Sequence, residues 1–347
     1  MAAVGSAAMK WYVAAPFISD TSDRWLTAYV PEVAGRSFAS VPATYRHDRS
    51  RKVTGLEGWS DYFAHGGAVW RAANTAGEPS GILTCFPQLP IVVGLRKRLA
   101  RSRMPVMAWT FNLGTLYSGA RRQLARQALA AVDRIVVHST AEVAAYSEWL
   151  QLPSERFCFV PLQRAVPQIT LPEDTSEPFV LSMGSAHRDY RLLFTVLAEL
   201  GYPAVVVAGT HAIEGLAVPP NVQVRSGLTE AQCRELVQQA RISVIPVANQ
   251  HTASGQVTLL DAMMYGRAVA VTEGPASIDY VRHGHDALLV RHGDAADLSA
   301  RLKALWQDDT LRATLGRNAR ASAIERFSDE AIGRAMGCML SELESRS

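Results

Sequence analysis

Short apolar runs alternate with helical patterns along most of the chain, and polar loops separate them. Strands that alternate with amphipathic helices form parallel sheets, so this order predicts an α/β fold. A chain of 347 residues also exceeds a usual single core, which predicts two domains. The clearest strand patterns lie at residues 11–17, 81–90, 105–111, 203–209 and 221–229.

Residues 242–272 carry the most informative pattern, which predicts a strand, a polar loop, a helix, a turn and a second strand. The loop contains Ser254-Gly255 and opens the helix. Free backbone amides and the positive end of the helix dipole then lie above the strand ends. This βαβ unit therefore predicts an anion-binding site.

The same segment resembles the donor-binding signature of the retaining glycosyltransferases of family 4, which have the two-domain GT-B fold. The resemblance implies two Rossmann-like domains facing across a cleft. It departs from the signature at Ala253, where the family usually has a Glu eight positions before a second acidic residue. The matching positions are Ser254-Gly255, Leu260-Asp261-Ala262-Met263, Gly266 and Val269.

Five prolines between residues 153 and 178 predict the connection between the domains. We expect an acceptor domain at 1–165, a linker at 166–177 and a donor domain at 178–325. The resemblance implies that a last helix, at 326–347, packs back on the first domain.

The resemblance also implies roles for individual residues. Asp261 would hold the ribose hydroxyls, and Gly184 and Arg188 would grip the diphosphate, with Ser185 in place of the usual Arg. An arginine fork suits a diphosphate because it donates paired, charge-assisted hydrogen bonds. The alternatives are an ion pair of Asp261 with a neighbouring Arg and a surface pair of Arg188 with Asp189. The remaining donor-side residues are Arg225 near the nucleobase and Ser254, Gly255, Gln256 and Thr258 at the helix start.

The implied reaction transfers a sugar, with retention, from a nucleotide diphosphate to an acceptor hydroxyl. A UDP-sugar is the favoured donor, and the resemblance implies neither a cofactor nor a metal. Two alternatives stay open: a non-catalytic nucleotide- or carbohydrate-binding protein, and a sugar-nucleotide epimerase. A nicotinamide-linked oxidoreductase would need GxGxxG after a strand, with an acidic residue about 20 positions later. Neither first-strand loop, at 14–20 or 184–189, carries that pattern.

Charge separates the two halves of the chain. Residues 1–165 hold 19 Lys and Arg against 11 Asp and Glu, a balance of +8; the remainder holds 16 against 21, or −5. A basic first half predicts an anionic acceptor or an anionic membrane surface, and we expect no nucleic-acid partner. An amphipathic helix at 91–103 could rest on lipid or be merely solvated. Its basic residues are Arg96, Lys97, Arg98, Arg101 and Arg103.

Two residues after first-domain strands are candidates for the acceptor side. Asp20 lies in the first strand–helix loop, although it or Ser22 could simply cap a helix. Asn112 takes the place where relatives often have a catalytic His, and it can orient a hydroxyl but cannot act as a base. Residues 35–60 predict a long polar loop, either a solvated excursion or an acceptor lid. That loop carries Arg46, Arg49, Arg51 and Lys52.

Several other classes of protein are disfavoured. The four cysteines lack CxxC spacing, which argues against a zinc site or a disulfide frame. His283, His285 and His292 lack the carboxylate spacing that would complete a metal site. Residues 1–10 do not resemble a secretory signal, and no apolar run reaches membrane-spanning length. We expect a cytoplasmic protein, either soluble or peripheral on the inner face of the membrane.

Overall fold

The computed structural model describes residues 8–45, 55–113, 116–250 and 253–346. The chain divides into a first unit, Met1–Val160 with Ile332–Ser347, and a second unit, Pro161–Ala331. The first boundary precedes the expected residue 165 because the chain joins the second unit immediately after Val160. The Arg164 amide donates to the Phe327 carbonyl at 2.9 Å, and Arg164 forms an isolated bridge with Ser328.

The first unit is a six-stranded, all-parallel sheet of order β2-β1-β3-β4-β5-β6 with helical crossovers. Its central strands are buried along their full length, as expected for a sheet covered on both faces. Its elements are β1 (Met9–Ala14), β2 (Arg36–Ser40), α1 (Leu56–Asn74), β3 (Ser80–Cys85), α2 (Gln88–Leu99), β4 (Val106–Trp109), α3 (Gly119–Leu129), β5 (Arg134–Val137), α4 (Thr140–Leu150) and β6 (Phe157–Phe159).

The loop predicted at 35–60 is shorter in the structure, because both ends of that range belong to regular elements. Residues Arg36–Ser40 form the edge strand β2, and α1 already begins at Leu56. β2 is an edge strand that pairs on only one side, so its sequence is polar and half-exposed and lacks a clear strand pattern. The basic residues Arg46, Arg49, Arg51 and Lys52 lie outside the described residues. The helical pattern after the first loop yields only a short 3₁₀ turn, Trp25–Tyr29.

The end of the chain belongs to the first unit. Four apolar residues of the last helix, α10 (Asp329–Glu344), pack in the same core as Met9 and Trp11. Glu344 anchors the end of that helix, because it accepts a hydrogen bond from Trp11 Nε1 at 2.8 Å and pairs with Arg36 at 2.6 Å. The four core residues are Ile332, Met336, Leu340 and Leu343.

The second unit is another six-stranded, all-parallel sheet, of order β12-β11-β10-β7-β8-β9. The strand–helix–strand unit predicted at 242–272 is present as β10, α7 and β11. No helix within the described residues is long and apolar enough to cross a membrane. The elements are β7 (Val180–Met183), α5 (Tyr190–Leu200), β8 (Ala204–Val207), β9 (Val222–Arg225), α6 (Glu230–Gln239), β10 (Ile242–Ile245), α7 (Gln256–Met264), β11 (Val269–Thr272), β12 (Leu288–Val290), α8 (Ala295–Gln307) and α9 (Asp309–Phe327).

Candidate functional site

The candidate site lies at the carboxyl edge of the second sheet, where β7 and β10 end next to each other. Such edges are where open α/β sheets bind ligands. Gly184 directly follows β7 and has φ of +109°, a conformation that side chains with a Cβ rarely adopt. A Cβ at Gly184 would also lie only 2.6 Å from Arg188 Nη2. The glycine therefore allows the Arg188 guanidinium to lie directly against the end of the strand.

Three hydrogen bonds fix the Arg188 side chain. Nε donates to the Met183 carbonyl at 3.1 Å, and Nη1 donates to the Ala186 carbonyl at 2.9 Å. Nη2 donates to the Thr258 hydroxyl at 3.1 Å, which ties the β7 loop to the first turn of α7. On that side a Cβ at Gly255 would lie 3.4 Å from Nη1. The guanidinium is thus held against two glycine-containing loops.

The charge of Arg188 is not neutralised by a carboxylate among the described residues: its hydrogen bonds go to two carbonyls and one hydroxyl. The alternative of a surface pair with Asp189 is not what the structure shows, since Asp189 instead caps α5 by accepting from the Leu192 amide at 3.0 Å. Burial lowers the pKa of Arg188, and the neighbouring Tyr190 opposes this effect. A half-buried cation without an acidic partner favours an anionic ligand.

The start of α7 adds backbone donors to the same place. Gly255 is the N-cap, with φ of +95°, and no side chain of the described residues caps the helix. The positive end of the α7 dipole lies beside Arg188, which bonds to Thr258 in the first turn, and this arrangement favours an anion. The Ser254 hydroxyl is buried and has no hydrogen-bond partner among the described residues, as expected for a group that binds a ligand.

Two residues predicted to bind the sugar donor have side chains that contact other parts of the protein. The Gln256 side chain is buried and donates to Tyr280 Oη at 3.2 Å, so only its backbone amide lies at the helix start. Thr258 accepts from Arg188 and donates to the Gly255 carbonyl at 3.0 Å. In the structure Thr258 positions Arg188 and the Gln256 side chain packs into the core, so donor binding at this helix start stays a prediction.

Asp261 lies one turn beyond Thr258 on the same side of α7 and forms the ion pair that was the alternative to ribose binding. Its Oδ1 is 3.0 Å from Arg164 Nε, and its Oδ2 is 3.4 Å from Arg164 Nη2. Burial raises the pKa of Asp261, whereas Arg164 and, less strongly, Arg234 lower it. The side chain remains 34% exposed, so the carboxylate still has room to accept hydroxyl hydrogen bonds.

Ser185 and Arg225 occupy the neighbouring strand ends. The Ser185 hydroxyl accepts from the Gly209 amide at 2.8 Å and so links the loops after β7 and β8. Strand register aligns Met183 with Val207, and Val207 with Arg225. Arg225 therefore ends β9 at the same edge, where its Nη2 donates to Gln223 Oε1 at 2.6 Å.

The candidate acceptor residues lie in the first unit. Asn112 is half-buried just beyond β4, and the following Gly114 lies outside the described residues. Asp20 is exposed, and its Oδ1 accepts from the Ser22 amide at 2.6 Å. Hydrogen bonding with Ser22 lowers the pKa of Asp20, and the carboxylate stabilises a turn. It does not cap the 3₁₀ turn Trp25–Tyr29, whose N-cap is Arg24.

For one residue of the expected membrane-facing cluster, the prediction of an exposed position is wrong. Lys97 is buried, and its Nζ is 2.5 Å from Asp133 Oδ2. Successive helical residues are turned by about 100°, so the apolar side of α2 carries Lys97 inward. The other four basic residues are exposed: Arg96, Arg98, Arg101 and Arg103.

Histidine side chains serve the structure. His138 is buried, its Nδ1 is 2.7 Å from the Val160 carbonyl, and burial lowers its pKa to about 4. His283 Nδ1 accepts from the Leu289 amide at 2.9 Å. Within the described part of the chain, no group of three His, Cys, Asp or Glu side chains could hold a metal ion.

Sequence reasoning missed two features of this site. Arg164 pairs with Asp261 from 97 positions away, and no local pattern indicates that contact. His187 precedes Arg188 with φ of +55°, which turns the loop so that the arginine side chain folds back on β7. A histidine in the left-handed region is uncommon, but only a structure reveals it.

Comparisons with known proteins agree with this geometry. A family model described as "Glycosyl transferases group 1" matches residues 186–308, which include Arg188, the α7 start and Asp261. Two solved structures superpose on almost the whole chain with TM-scores of 0.68 and 0.71, and this decides the fold. The chain has the GT-B fold and resembles the group 1 glycosyltransferases.

The matches to individual GT-B proteins are distant. An N,N'-diacetylbacillosaminyl-diphospho-undecaprenol alpha-1,3-N-acetylgalactosaminyltransferase of Campylobacter jejuni is 29% identical over 91 residues, which span 26% of this chain and 23% of that relative. The Anabaena protein Alr3699/HepE in complex with UDP and glucose superposes with a TM-score of 0.68 at 15% identity, over 96% of this chain and 99% of that one. A sucrose-phosphate synthase of Thermosynechococcus elongatus gives 0.71 at 15% identity, over 98% and 100%.

Proposed function

We propose that this chain is a glycosyltransferase that moves a sugar from a UDP-sugar to an acceptor hydroxyl. The observation that carries the proposal is Arg188, a half-buried guanidinium without a carboxylate partner among the described residues, held between two glycine loops at a helix start. The Anabaena neighbour was solved in complex with UDP and glucose, which supports the choice of donor.

The chemistry follows from where charge develops. When the bond between the anomeric carbon and the diphosphate breaks, negative charge grows on the departing phosphate. Donors that are already in place stabilise this transition state more than the ground state. Arg188 and the first amides of α7 are those donors, and they could act without a divalent metal. Asp261 would accept hydrogen bonds from the ribose hydroxyls, while Arg164 contacts both carboxylate oxygens and orients them.

The stereochemical part of the proposal is retention. The acceptor hydroxyl would enter on the face that the diphosphate leaves, and a departing phosphate oxygen would take its proton. Asn112 would orient the hydroxyl, since an amide can donate and accept but cannot act as a base.

A lipid-linked glycan is the proposed acceptor. The Campylobacter relative is named for an undecaprenyl diphosphate-linked acceptor, which supports this class. The balance of +8 over residues 1–165 also suits an acceptor at an anionic membrane surface. The exposed residues Arg98, Arg101 and Arg103 would face that surface.

Calorimetric titration with UDP, ADP and GDP, followed by assay of UDP-sugar hydrolysis, tests the proposal. We expect UDP to bind and a matching UDP-sugar to release UDP slowly without acceptor. Binding of UDP with no release from any UDP-sugar, with or without lipid-linked acceptors, would instead indicate a non-catalytic binding protein. No binding of any nucleoside diphosphate would overturn the proposed site.

A further inference from the structure

Left-handed backbone at residues other than glycine is concentrated at the sheet edges. Six such residues occur in the described part of the chain, and two of them, Arg101 and Gln151, simply follow the helices α2 and α4. A third, His187, lies in the donor loop beside Arg188. The other three lie at the carboxyl edge of the first sheet: Trp25, Phe86 and Thr110.

The three residues follow three adjacent strands. Phe86 directly follows β3, Thr110 directly follows β4, and Trp25 ends the loop that leaves β1. Positive φ is unfavourable for bulky and β-branched side chains, and such strain is retained mainly at functional sites. In the second unit the same feature marks the anion site. The corresponding edge of the first unit is therefore a candidate binding surface.

An aromatic cluster lies at that edge, formed by Phe17, Trp25 and Phe86. The Phe17 ring centroid is 5.3 Å from that of Trp25 and 5.9 Å from that of Phe86, both in edge-to-face geometry. Phe17 is 37% exposed, and the other two rings are partly buried beneath the surface. The strained backbone at Trp25 and Phe86 thus holds two rings against a third that solvent can reach.

Local hydrogen bonds fix this aromatic cluster. The Phe86 amide donates to the Trp109 carbonyl at 3.2 Å, and the Trp25 amide donates to Asp23 Oδ1 at 2.9 Å. A tight turn closed by the Ile18 amide and the Ala15 carbonyl, at 3.1 Å, presents Phe17. The rings are therefore preorganised, which lowers the entropic cost of binding.

Two polar residues occur in the loops that leave β1 and β4 at this edge. Asp20 is an exposed carboxylate between Phe17 and Trp25 in the chain, and Asn112 lies two residues beyond Thr110. A pyranose needs this combination, because one face of the ring presents C–H groups to an aromatic surface while the hydroxyls need hydrogen-bond partners. A prenyl chain would instead favour a continuous apolar groove.

We propose that the aromatic cluster is a stacking surface for a pyranose ring of the acceptor, with Asp20 and Asn112 binding its hydroxyls. The proposal rests on the proposed function and adds the chemical class of ligand that the first unit recognises. Phe17 is the ring that would contact the sugar.

Saturation-transfer NMR tests this site with methyl glycosides of hexoses and N-acetylhexosamines, recorded in the presence of UDP. We expect transfer to the C–H groups of at least one glycoside. Phe17→Ser and Phe17→Leu should weaken its binding about five- to tenfold, whereas Phe17→Tyr should keep it. The matched control is Phe63→Ser, an aromatic residue of α1 that is 46% exposed, which should change nothing.

UDP affinity separates failure of this proposal from failure of the proposed function. If wild-type protein binds UDP but no glycoside, or if Phe17→Leu binds the glycoside as well as wild type does, the sugar surface is refuted and the donor site stands. A second outcome would also overturn the sugar surface. If saturation is transferred to a short prenyl phosphate in both wild type and Phe17→Leu, but not to glycosides, the surface is a lipid groove. If no variant binds UDP, the proposed function itself fails.

Discussion

The carboxyl edges of the two sheets present different chemistry on the same topology. The second sheet ends in glycines, a guanidinium and the N-terminus of a helix, whereas the first ends in aromatic rings held by left-handed backbone. Both sheets are six-stranded and parallel, so the difference comes from a few loop residues. The fold provides an edge for ligands, and the loops decide which ligand chemistry each edge can bind.

The arginines of the second unit sharpen this comparison. Arg164 is paired with Asp261, whereas Arg188 hydrogen-bonds to carbonyls and a hydroxyl and keeps its charge unpaired. A paired arginine orients a carboxylate, and an arginine held only by neutral groups can bind an anion. The roles of the two residues therefore follow from their partners rather than from their residue type.

The largest expected effect is at Arg188. Arg188→Ala removes the positive charge beside the departing phosphate, so we expect turnover to fall about a hundred- to a thousandfold. Arg188→Lys should recover only part of this, because an ammonium lacks the planar fork. The measurement is the rate of UDP release from the donor, with the circular dichroism spectrum as a check on folding.

The matched control is Arg191→Ala, which removes an exposed arginine from the adjoining turn of α5. It should leave turnover within about twofold of wild type, since surface substitutions rarely have larger effects. Equal losses in the two variants would show that net charge, and not the position of Arg188, is what matters.

The next effect is at Gly184. A Cβ in Gly184→Ala would lie 2.6 Å from Arg188 Nη2, so the guanidinium must move, and we expect UDP affinity to fall about tenfold. The positive φ should also lower the free energy of unfolding by about 1–2 kcal/mol. Gly215→Ala is the control for strain alone, because Gly215 has φ of +72° with open space around it. Calorimetry and urea unfolding separate the two contributions; unchanged UDP affinity in Gly184→Ala would contradict the site.

The βαβ unit at 242–272 and most buried strands could be predicted from sequence because their apolar runs are continuous. The position of Ser254-Gly255 before α7 was predicted for the same reason, since loop residues between two clear elements have only one place to lie. The strand β2 was missed because an edge strand needs fewer apolar residues. Trp25 and Phe86 carry no sequence signal of positive φ, which tertiary packing imposes.

Charged residues were harder to assign than strands. In the cluster around Arg96 four members are exposed, and their contact with a membrane stays a prediction. Lys97 is buried instead, and its partner Asp133 lies 36 positions later in the chain. The pairing of Asp261 with Arg164 depends in the same way on a contact distant in sequence. Local patterns thus predict where a charge lies along the chain, but its partner depends on the fold.

A smaller effect is expected where the first unit is most basic. The helix α2 begins after Phe86 and runs back along the sheet, so Arg98 and Arg101 lie at the end opposite the aromatic cluster. Leu99 between them is 83% exposed, and this combination favours binding to an anionic lipid surface. Arg101→Gln should weaken sedimentation with phosphatidylglycerol vesicles at low salt about fivefold.

Lys97→Gln distinguishes the effect of an exposed charge on vesicle binding from the effect of a buried charge on stability in the same helix. It should leave vesicle binding unchanged and lower the free energy of unfolding, because Asp133 loses its partner. Equal vesicle binding by wild type and Arg101→Gln would remove the lipid surface from the proposal without affecting the sugar or donor sites.

The smallest effect tests Asp261 through pH. Burial raises the pKa of Asp261 and Glu230 adds to this, whereas Arg164 and then Arg234 lower it. The ribose hydroxyls need the ionised carboxylate, so UDP affinity should fall as pH drops through that pKa. Arg164 lowers the pKa of Asp261 more than Arg234 does. Arg164→Gln should therefore raise that pKa, and the fall in UDP affinity should begin at a higher pH.

Arg234→Gln provides the graded control, because this exposed arginine is already paired with Glu230 at 2.5 Å. In Arg234→Gln the pH at which UDP affinity begins to fall should also rise, but by less than in Arg164→Gln. Since both variants keep Arg188, affinity at neutral pH should fall only about twofold, as expected when a hydrogen-bond acceptor is retained but less firmly oriented. If Arg164→Gln lost affinity equally at every pH, its role would be structural support of the second unit, and the Asp261 carboxylate would not be the group that UDP senses.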